Sequence, residues 1–305
     1  MRVLVTGGAG FIGSHIAEAY LRRGDQVAIL DDLSTGRRRN IPTEAQLYQG
    51  NIADRAFVRN AVEAWQPELI NHHAAHISVS ESVREPDRSA EVNVIGSINV
   101  FEAARLVGVH RIVVASTGGA LYGEATVRPT PETAPTVPLS PYGLGKLAME
   151  QFLEYYRVVY GIETVVLRYA NVYGPRQGGS AETGVVATFV KLAMNGQIPT
   201  VFGDGTQTRD YVFVSDVVSA NLAASERGSG AYNIGTGTET TVLEVFDAVR
   251  QVLDWAVSPV FAAPRTGEVL HSALDASRAR AEFAWAPRVE FSEGVARTVE
   301  AERAA

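Results

Sequence analysis

Val3-Leu4-Val5-Thr6-Gly7-Gly8-Ala9-Gly10-Phe11-Ile12-Gly13-Ser14-His15 decides the fold, because an apolar run passes through clustered glycines into a helical pattern. Val3 to Val5 suits a buried strand, and Phe11, Ile12, Ile16, Ala19 and Tyr20 return at helical spacing. The glycines therefore sit between a strand and the N-terminus of a helix. Such an end offers unpaired N–H groups and the positive pole of the helix dipole, and residues without Cβ let a pyrophosphate approach the backbone. The spacing reads as Gly8-x-Gly10-x-x-Gly13 or as Gly7-x-x-Gly10-x-x-Gly13. Alone it is a weak signal.

Working outward, a second apolar run, Gln26 to Leu30, ends at Asp31, eighteen residues beyond Gly13. A carboxylate there takes the adenosine ribose hydroxyls of a dinucleotide. Asp31 would also repel a ribose 2′-phosphate, which favours NAD over NADP, although Arg37, Arg38 and Arg39 follow closely.

At 305 residues the chain is long enough for one large core or two smaller ones, and its pattern favours two. With 46% hydrophobic and 20% charged residues, the composition is that of an ordinary globular protein. No apolar run approaches the ~18 residues that a membrane helix needs, and no basic-then-apolar leader precedes the first strand, so a cytoplasmic protein is expected. A net charge of −7 argues against nucleic-acid binding, which depends on a basic face. An anionic ligand must then be met by a few placed arginines. Without cysteine there is no disulfide, no thiolate metal site and no cysteine nucleophile.

Downstream, Leu33-Ser34-Thr35-Gly36 reads as a polar loop, Gln46 to Gln49 as a third strand, Asp54 to Trp65 as a helix and Glu68 to Asn71 as a fourth strand. Strands alternating with helices predict a parallel, doubly wound sheet with its ligand at the carboxyl ends of the strands. Asn71-His72-His73-Ala74-Ala75-His76 holds three of the six histidines. Adjacent residues on an extended chain point to opposite sides, and no carboxylate or cysteine stands at ligand spacing, so no metal site is expected. Ala74 and Ala75 are small enough to let a cofactor pass over the strand end.

Ala90 to Val107 reads as a helix with Asn93 near its start. A fifth strand, Arg111 to Ala115, runs into Ser116-Thr117-Gly118-Gly119, which places hydroxyls where a parallel sheet does its chemistry. After a Pro- and Thr-rich loop, Tyr142-Gly143-Leu144-Gly145-Lys146 opens a helix to about Tyr160. Tyr142 and Lys146 are four apart and share one helix face, a spacing that couples an ammonium to a phenol. A phenol near pKa ~10 is a poor base at neutral pH, but a neighbouring positive charge and a cationic nicotinamide would lower it into the useful range.

These stretches together resemble the extended short-chain dehydrogenase/reductases, and within them the UDP-glucose 4-epimerase group. The resemblance covers nearly the whole chain. It also includes Asp31-Asp32-Leu33-Ser34-Thr35-Gly36, Asn93-Val94-Ile95-Gly96, Leu167-Arg168-Tyr169-Ala170-Asn171-Val172-Tyr173-Gly174-Pro175-Arg176-Gln177, Gly203-Asp204-Gly205, Arg209-Asp210-Tyr211-Val212 and Tyr232-Asn233-Ile234-Gly235. It implies an α/β fold: a doubly wound parallel Rossmann-type sheet with a smaller mixed α/β substrate-binding domain. Residues 1–170 would hold NAD and residues 171–305 the nucleotide sugar, with segments near 211–235 returning to the first domain.

For NAD the resemblance implies Gly7, Gly10, Phe11, Ile12 and Gly13, then Asp31 to Gly36, Ala74, Ala75, Asn93, Tyr142, Lys146 and Tyr169. Asn51 and Ile52 join them; many members carry Asp at 51 to hold the adenine amino group, and Asn51 can accept through its amide oxygen. For the UDP-sugar it implies Asn171 beside the diphosphate, Val185 and Val186 in a helix flanking the uridine, and Val201 and Phe202 in the loop beneath the base. Arg209 and Arg265 match the arginines aimed at the diphosphate, and Glu268 the acid on the ribose hydroxyls. Guanidinium forks suit a dianion on an acidic protein.

The family usually carries its catalytic hydroxyl four residues before the Tyr-Gly that matches Tyr122-Gly123, and here that position is Gly118. Thr117 is expected to supply the hydroxyl instead, with Ser116 as substitute, beside Tyr142 as base and Lys146. Ser272 falls where the family faces the sugar C2 group; a Tyr there is associated with exclusion of N-acetyl sugars, and Ser leaves room for them. The implied reaction is reversible C4 epimerisation of UDP-glucose and UDP-galactose through a 4-keto sugar. Epimerisation or decarboxylation of UDP-glucuronate and a non-catalytic NAD-binding redox sensor are the alternatives. Gly118-Gly119 stand where a 4,6-dehydratase carries Asp-Glu, which argues against dehydration. The resemblance further implies a homodimer packed through the helices 90–107 and 142–160.

Overall fold

The computed structural model describes residues 1–178, 184–264 and 269–304. β1 (Arg2–Thr6) runs into α1 (Phe11–Arg22), followed by β2 (Gln26–Asp31), β3 (Gln46–Gln49), α2 (Arg55–Trp65) and β4 (Leu69–His72). Next come α3 (Val79–Arg84), α4 (Pro86–Ala90), α5 (Ser97–Val107), β5 (Arg111–Thr117), α6 (Pro141–Tyr160) and β6 (Glu163–Tyr169). The remainder holds β7 (Asn171–Tyr173), α7 (Val185–Met194), β8 (Thr200–Phe202), β9 (Thr208–Arg209), β10 (Tyr211–Phe213), α8 (Val214–Ala224) and β11 (Gly230–Ile234). It closes with β12 (Thr240–Thr241), α9 (Val242–Leu253), β13 (Val260–Ala262), α10 (Ser277–Phe283) and α11 (Phe291–Arg303).

Seven strands form one sheet in the order β11-β6-β5-β4-β1-β2-β3, every pair parallel. This is the doubly wound sheet that the sequence predicts. Successive strand residues face opposite sides, so each strand feeds two cores. Val3, Val5, Val27, Ile29, Val113, Val165 and Leu167 pack under α1, α8 and α10, while Leu4, Ala28, Leu30, Ile112, Val114 and Val166 pack under α2, α5 and α6. Strand order reverses between β1 and β4, and the crevice above that point is where an open parallel sheet takes its ligand.

A smaller lobe lies beyond β6. It contains the parallel pairs β7–β10 and β8–β13 and the antiparallel pair β9–β12. Phe189, Val190, Val201, Val245, Phe246, Val249 and Val295 fill its core.

Several boundaries shift by a single residue, and two elements differ by more. The helix expected over 90–107 begins at Pro86 and passes through a π-helical turn, Glu91–Gly96, before α5. Pro86 suits the first helical position because its missing N–H would be unpaired there anyway. The widened turn carries Asn93 to the His76 backbone, where Asn93 Oδ1 accepts from His76 N (2.8 Å) and Asn93 Nδ2 donates to the His76 carbonyl (2.9 Å). β5 runs two residues further than expected, because Ser116 and Thr117 still pair with Arg168 and Tyr169 of β6.

Candidate active site at the carboxyl ends of the strands

The turn from β1 into α1 is made by the backbone. Gly7 adopts φ +68°, and a Cβ on it would stand 2.6 Å from Ala74 N; a Cβ on Gly13 would stand 2.2 Å from the Gly7 carbonyl oxygen. Only glycine lets α1 approach the strand this closely. Gly10 is the N-cap of α1 and makes no side-chain cap, and the first turn holds no acid. The N–H groups of Phe11, Ile12 and Gly13 therefore converge at an unsatisfied helix end, and a dinucleotide pyrophosphate fits it. Phe11 also packs on the core of the smaller lobe, and Ile12 on the sheet.

Asp31, at the end of β2, accepts from Ala9 N (2.9 Å) and Leu33 N (2.8 Å), and burial pushes its carboxyl pKa up. Leu33 takes φ +60°, which turns the loop back at Asp32, whose Oδ1 accepts from the Ser34 amide and hydroxyl. Thr35 and Gly36 complete the loop; a Cβ on Gly36 would meet Asp31 Oδ1 at 2.7 Å. Asn51 donates to Asp32 Oδ2 (3.2 Å) while its own Oδ1 accepts from Ala53 N (2.8 Å), and Ile52 is buried against Gly96. The residues expected on the adenosine side are thus adjacent in space.

The histidines at the end of β4 are scaffolding. Ser97 Oγ donates to the Asn93 carbonyl, so it accepts from His72 Nε2, and His72 Nδ1 then accepts from Thr6 Oγ1 (2.7 Å). Thr6 Oγ1 in turn accepts from the amides of His73 and Ala74. Burial, with the Lys146 charge behind it, pushes the His72 pKa down to about 3 and holds the ring neutral. Ala74 and Ala75 lie half-buried at the cleft. Tyr169 points into the core: its hydroxyl accepts from Asn221 Nδ2 (2.8 Å) and lies 3.0 Å from His73 Nε2. Its hydroxyl is therefore spent on the scaffold, and the place given to Tyr169 among the NAD contacts is not supported by a free polar group.

Ser140 caps α6 by accepting from Gly143 N (3.1 Å), and Pro141 occupies its first position, which fixes Tyr142 in the first turn. The Tyr142 amide donates to Ser82 Oγ (3.1 Å), and its hydroxyl lies beside Thr117. One turn on, Lys146 is buried and donates from Nζ to the Ala115 carbonyl (2.9 Å). Burial lowers its pKa to about 8. The sequence reading expects a lowered phenol at Tyr142; in the protein alone, burial pushes it up to about 12. Thr117, Tyr142 and Lys146 nevertheless gather at the carboxyl end of β5.

Ser116 does not join them. Neighbours on a strand face opposite sides, and Ser116 Oγ donates to Glu150 of α6 instead. That removes it as the substitute hydroxyl. Glu150 also accepts from Arg168 Nε (3.1 Å) and Nη2 (2.6 Å), and Arg168 Nη1 donates to the Tyr122 hydroxyl (2.8 Å). Sequence reasoning passes over Glu150, although an acid four residues after Lys146 on a buried helix stripe is the signal that marks it.

In the smaller lobe Asn171 is exposed beside Gly119, 3.7 Å from where a Cβ of Gly119 would stand. Asp210 accepts from Thr236 N, Thr236 Oγ1, Gly237 N and Leu274 N at 2.7–3.1 Å, and its carbonyl accepts from Asn171 N (2.8 Å). It fixes the loops around Arg209 and Ser272, both half-buried. Val186 and Val201 are buried, with Val185 and Phe202 partly so at the ends of α7 and β8. Arg265 and Glu268 lie outside the described residues.

An uncapped helix end after a glycine turn, a buried acid at the end of β2 and a Thr-Tyr-Lys cluster at the strand ends are the parts of a dinucleotide-dependent enzyme. Residues 3–235 match the NAD dependent epimerase/dehydratase family, and the chain belongs to it. Among its relatives there are UDP-glucose 4-epimerases. That of Mycolicibacterium smegmatis is 43% identical, the match covering 98% of each chain. The crystal structure of the Thermotoga maritima UDP-glucose 4-epimerase with UDP-glucose superposes with a TM-score of 0.98 at 44% identity, covering 100% of this chain and 99% of that one. The Thermus thermophilus UDP-glucose 4-epimerase in complex with NAD gives 0.95 at 43% identity, covering all of both chains.

Proposed function

We propose that the protein interconverts UDP-glucose and UDP-galactose by epimerisation at C4, with residues 1–170 holding NAD and residues 171–305 the nucleotide sugar. The observation that carries this is the meeting of Thr117, Tyr142 and Lys146 at the strand ends, across the cleft from an uncapped α1. Bound NAD would supply the acceptor for the C4 hydride, return it, and place positive charge beside Tyr142. The Tyr142 oxygen takes the proton of the 4-hydroxyl and gives it back on the other face. The Thr117 hydroxyl holds the reacting oxygen in line. Lys146 spends one proton on Ala115 and keeps two for the nicotinamide ribose. Arg209 and Arg265 anchor the diphosphate and Glu268 the uridine ribose while the flat 4-keto sugar turns over.

Ser272 leaves space at the sugar C2 position, so UDP-N-acetylglucosamine is included in the proposed range. A homodimer packed through α5 and α6 belongs to the same reading. Phe152, Tyr155 and Val159 form an exposed apolar stripe on α6, and Leu106 is exposed on α5.

The test is to mix the purified protein, without added NAD, with UDP-galactose and to follow UDP-glucose by anion-exchange chromatography. Conversion is expected, because a cofactor regenerated in each cycle is retained. No conversion even with NAD supplied would overturn the proposal. In the same assay Ser272→Tyr should lose UDP-N-acetylglucosamine turnover while UDP-galactose still reacts.

A further inference from the structure

Glu150 has no place in the proton or hydride path, yet it is 7% exposed and accepts from two strands of the site's wall. Ser116 reaches it from β5 and Arg168 from β6, over sequence separations of 34 and 18 residues. Ser116 stands next to Thr117 on β5, and Arg168 pairs with Ser116 across the sheet from β6. Arg168 carries the connection on to Tyr122, whose hydroxyl donates to Asn233 Oδ1 of β11 (2.9 Å). On α6 itself Glu150 follows Tyr142 and Lys146 at steps of eight and four, so all three lie along one stripe.

We propose that Glu150 is a positioning residue for the reaction: its buried carboxylate, shared between Ser116 and Arg168, clamps the ends of β5 and β6 to the helix face that carries Tyr142 and Lys146. The clamp sets the reach from Thr117 to Tyr142 and puts a fixed negative charge one turn from the Lys146 ammonium. The other groups facing Lys146 do not compete for that task. His72 and His73 from β4 are held neutral by burial, Ala115 of β5 offers only its carbonyl, and Arg168 of β6 is spent on Glu150. Glu150 is the charge that opposes the effect of burial on Lys146.

An ion pair kept only for stability would behave differently. Buried pairs are often replaceable by apolar residues of similar volume without loss of stability, whereas removing one partner strands the other charge. Two variants separate the cases: Glu150→Gln, and the paired Glu150→Leu with Arg168→Met. The inference rests on Tyr142 and Lys146 being the reacting pair, so one readout is taken without turnover. The chain has two lysines, Lys146 and Lys191, and 13C-lysine labelling gives two side-chain signals, assigned by Lys191→Arg.

In Glu150→Gln the Lys146 titration midpoint should fall by about half to one pH unit, since a nearby negative charge is lost, and in the paired variant by less, because the Arg168 cation goes with it. With UDP-galactose, kcat should fall about tenfold with KM within about twofold, because orientation is lost and nucleotide binding is kept. In Glu150→Gln the lost negative charge favours loss of a proton from both groups, so both limbs of its pH–rate profile should move to lower pH. If Glu150→Gln fails to fold, the paired variant is read alone. A folded paired variant with the parent's Lys146 midpoint, kcat and pH profile would overturn the proposal. A parent without epimerase activity would refute the proposed function, and the Lys146 midpoint would still decide the role of Glu150.

Discussion

The two ends of the cleft are built from different materials. At the β1–α1 turn the chain offers backbone: Gly7, Gly10 and Gly13 contribute by having no side chain, and all lie within seven residues. At the opposite end it offers side chains gathered from β5, α6 and β6, with Thr117, Tyr142 and Lys146 in front and Ser116, Glu150 and Arg168 behind. The first arrangement tolerates changes of side-chain chemistry nearby but no added Cβ. The second tolerates small shifts of backbone but not the loss of one hydroxyl.

Substitutions should therefore have separable effects at the two ends. The largest is expected from Tyr142→Phe, which should lower kcat by about 10²–10⁴ while leaving the bound NAD and the thermal midpoint near those of the parent. Coincident loss of NAD, measured by its release on acid precipitation, would show that the ends are not separable. Next comes Gly13→Ala. A Cβ 2.2 Å from a carbonyl oxygen must push the helix off the strand, at about 2–3 kcal/mol of stability in urea titration, and bound NAD should fall with it. An alanine variant with full NAD would sink the claim that close approach makes this end.

The smallest effect is expected at His72, which ties β4 to Thr6 beside the glycine turn and to Ser97 of α5. Its pKa in the fold is about 3, against 6.5 for a free imidazole, so below pH 6.5 the unfolded chain binds the proton that the fold refuses. Stability present above pH 6.5 is then lost as pH falls towards 3, by up to about 1.4 kcal/mol per pH unit from this group. Urea midpoints of the parent and of His72→Asn between pH 7 and 5 should differ in slope by that amount. Parallel slopes would show that His72 titrates normally in the fold.

The same contrast governs what the sequence makes legible. The glycine turn, Asp31 and the pair Tyr142–Lys146 are read from a single line of residues because each is local, one loop or one helix face. β6 is not named as an element by the sequence reading, and the contacts of Glu150 join residues 18 and 34 positions apart that no periodicity links. The π-helical turn at Glu91–Gly96 is equally silent, since its cause is the bond from Asn93 to a backbone in another segment. Ser116 and Thr117 look interchangeable as letters. The pleat of β5, which the sequence reading ends at Ala115, sends one to the scaffold and the other to the cleft.

Leu274 bears on how such a site changes over generations. Its side chain fills the space beside Gly118, where a Cβ would stand 2.4 Å away. On the proposed function, a hydroxyl moved from residue 117 to residue 118 would have to displace the buried Leu274 side chain, so Gly118→Ser is expected to call for a smaller residue at 274. Two positions far apart in the chain thus share one volume, and a change at either constrains the other.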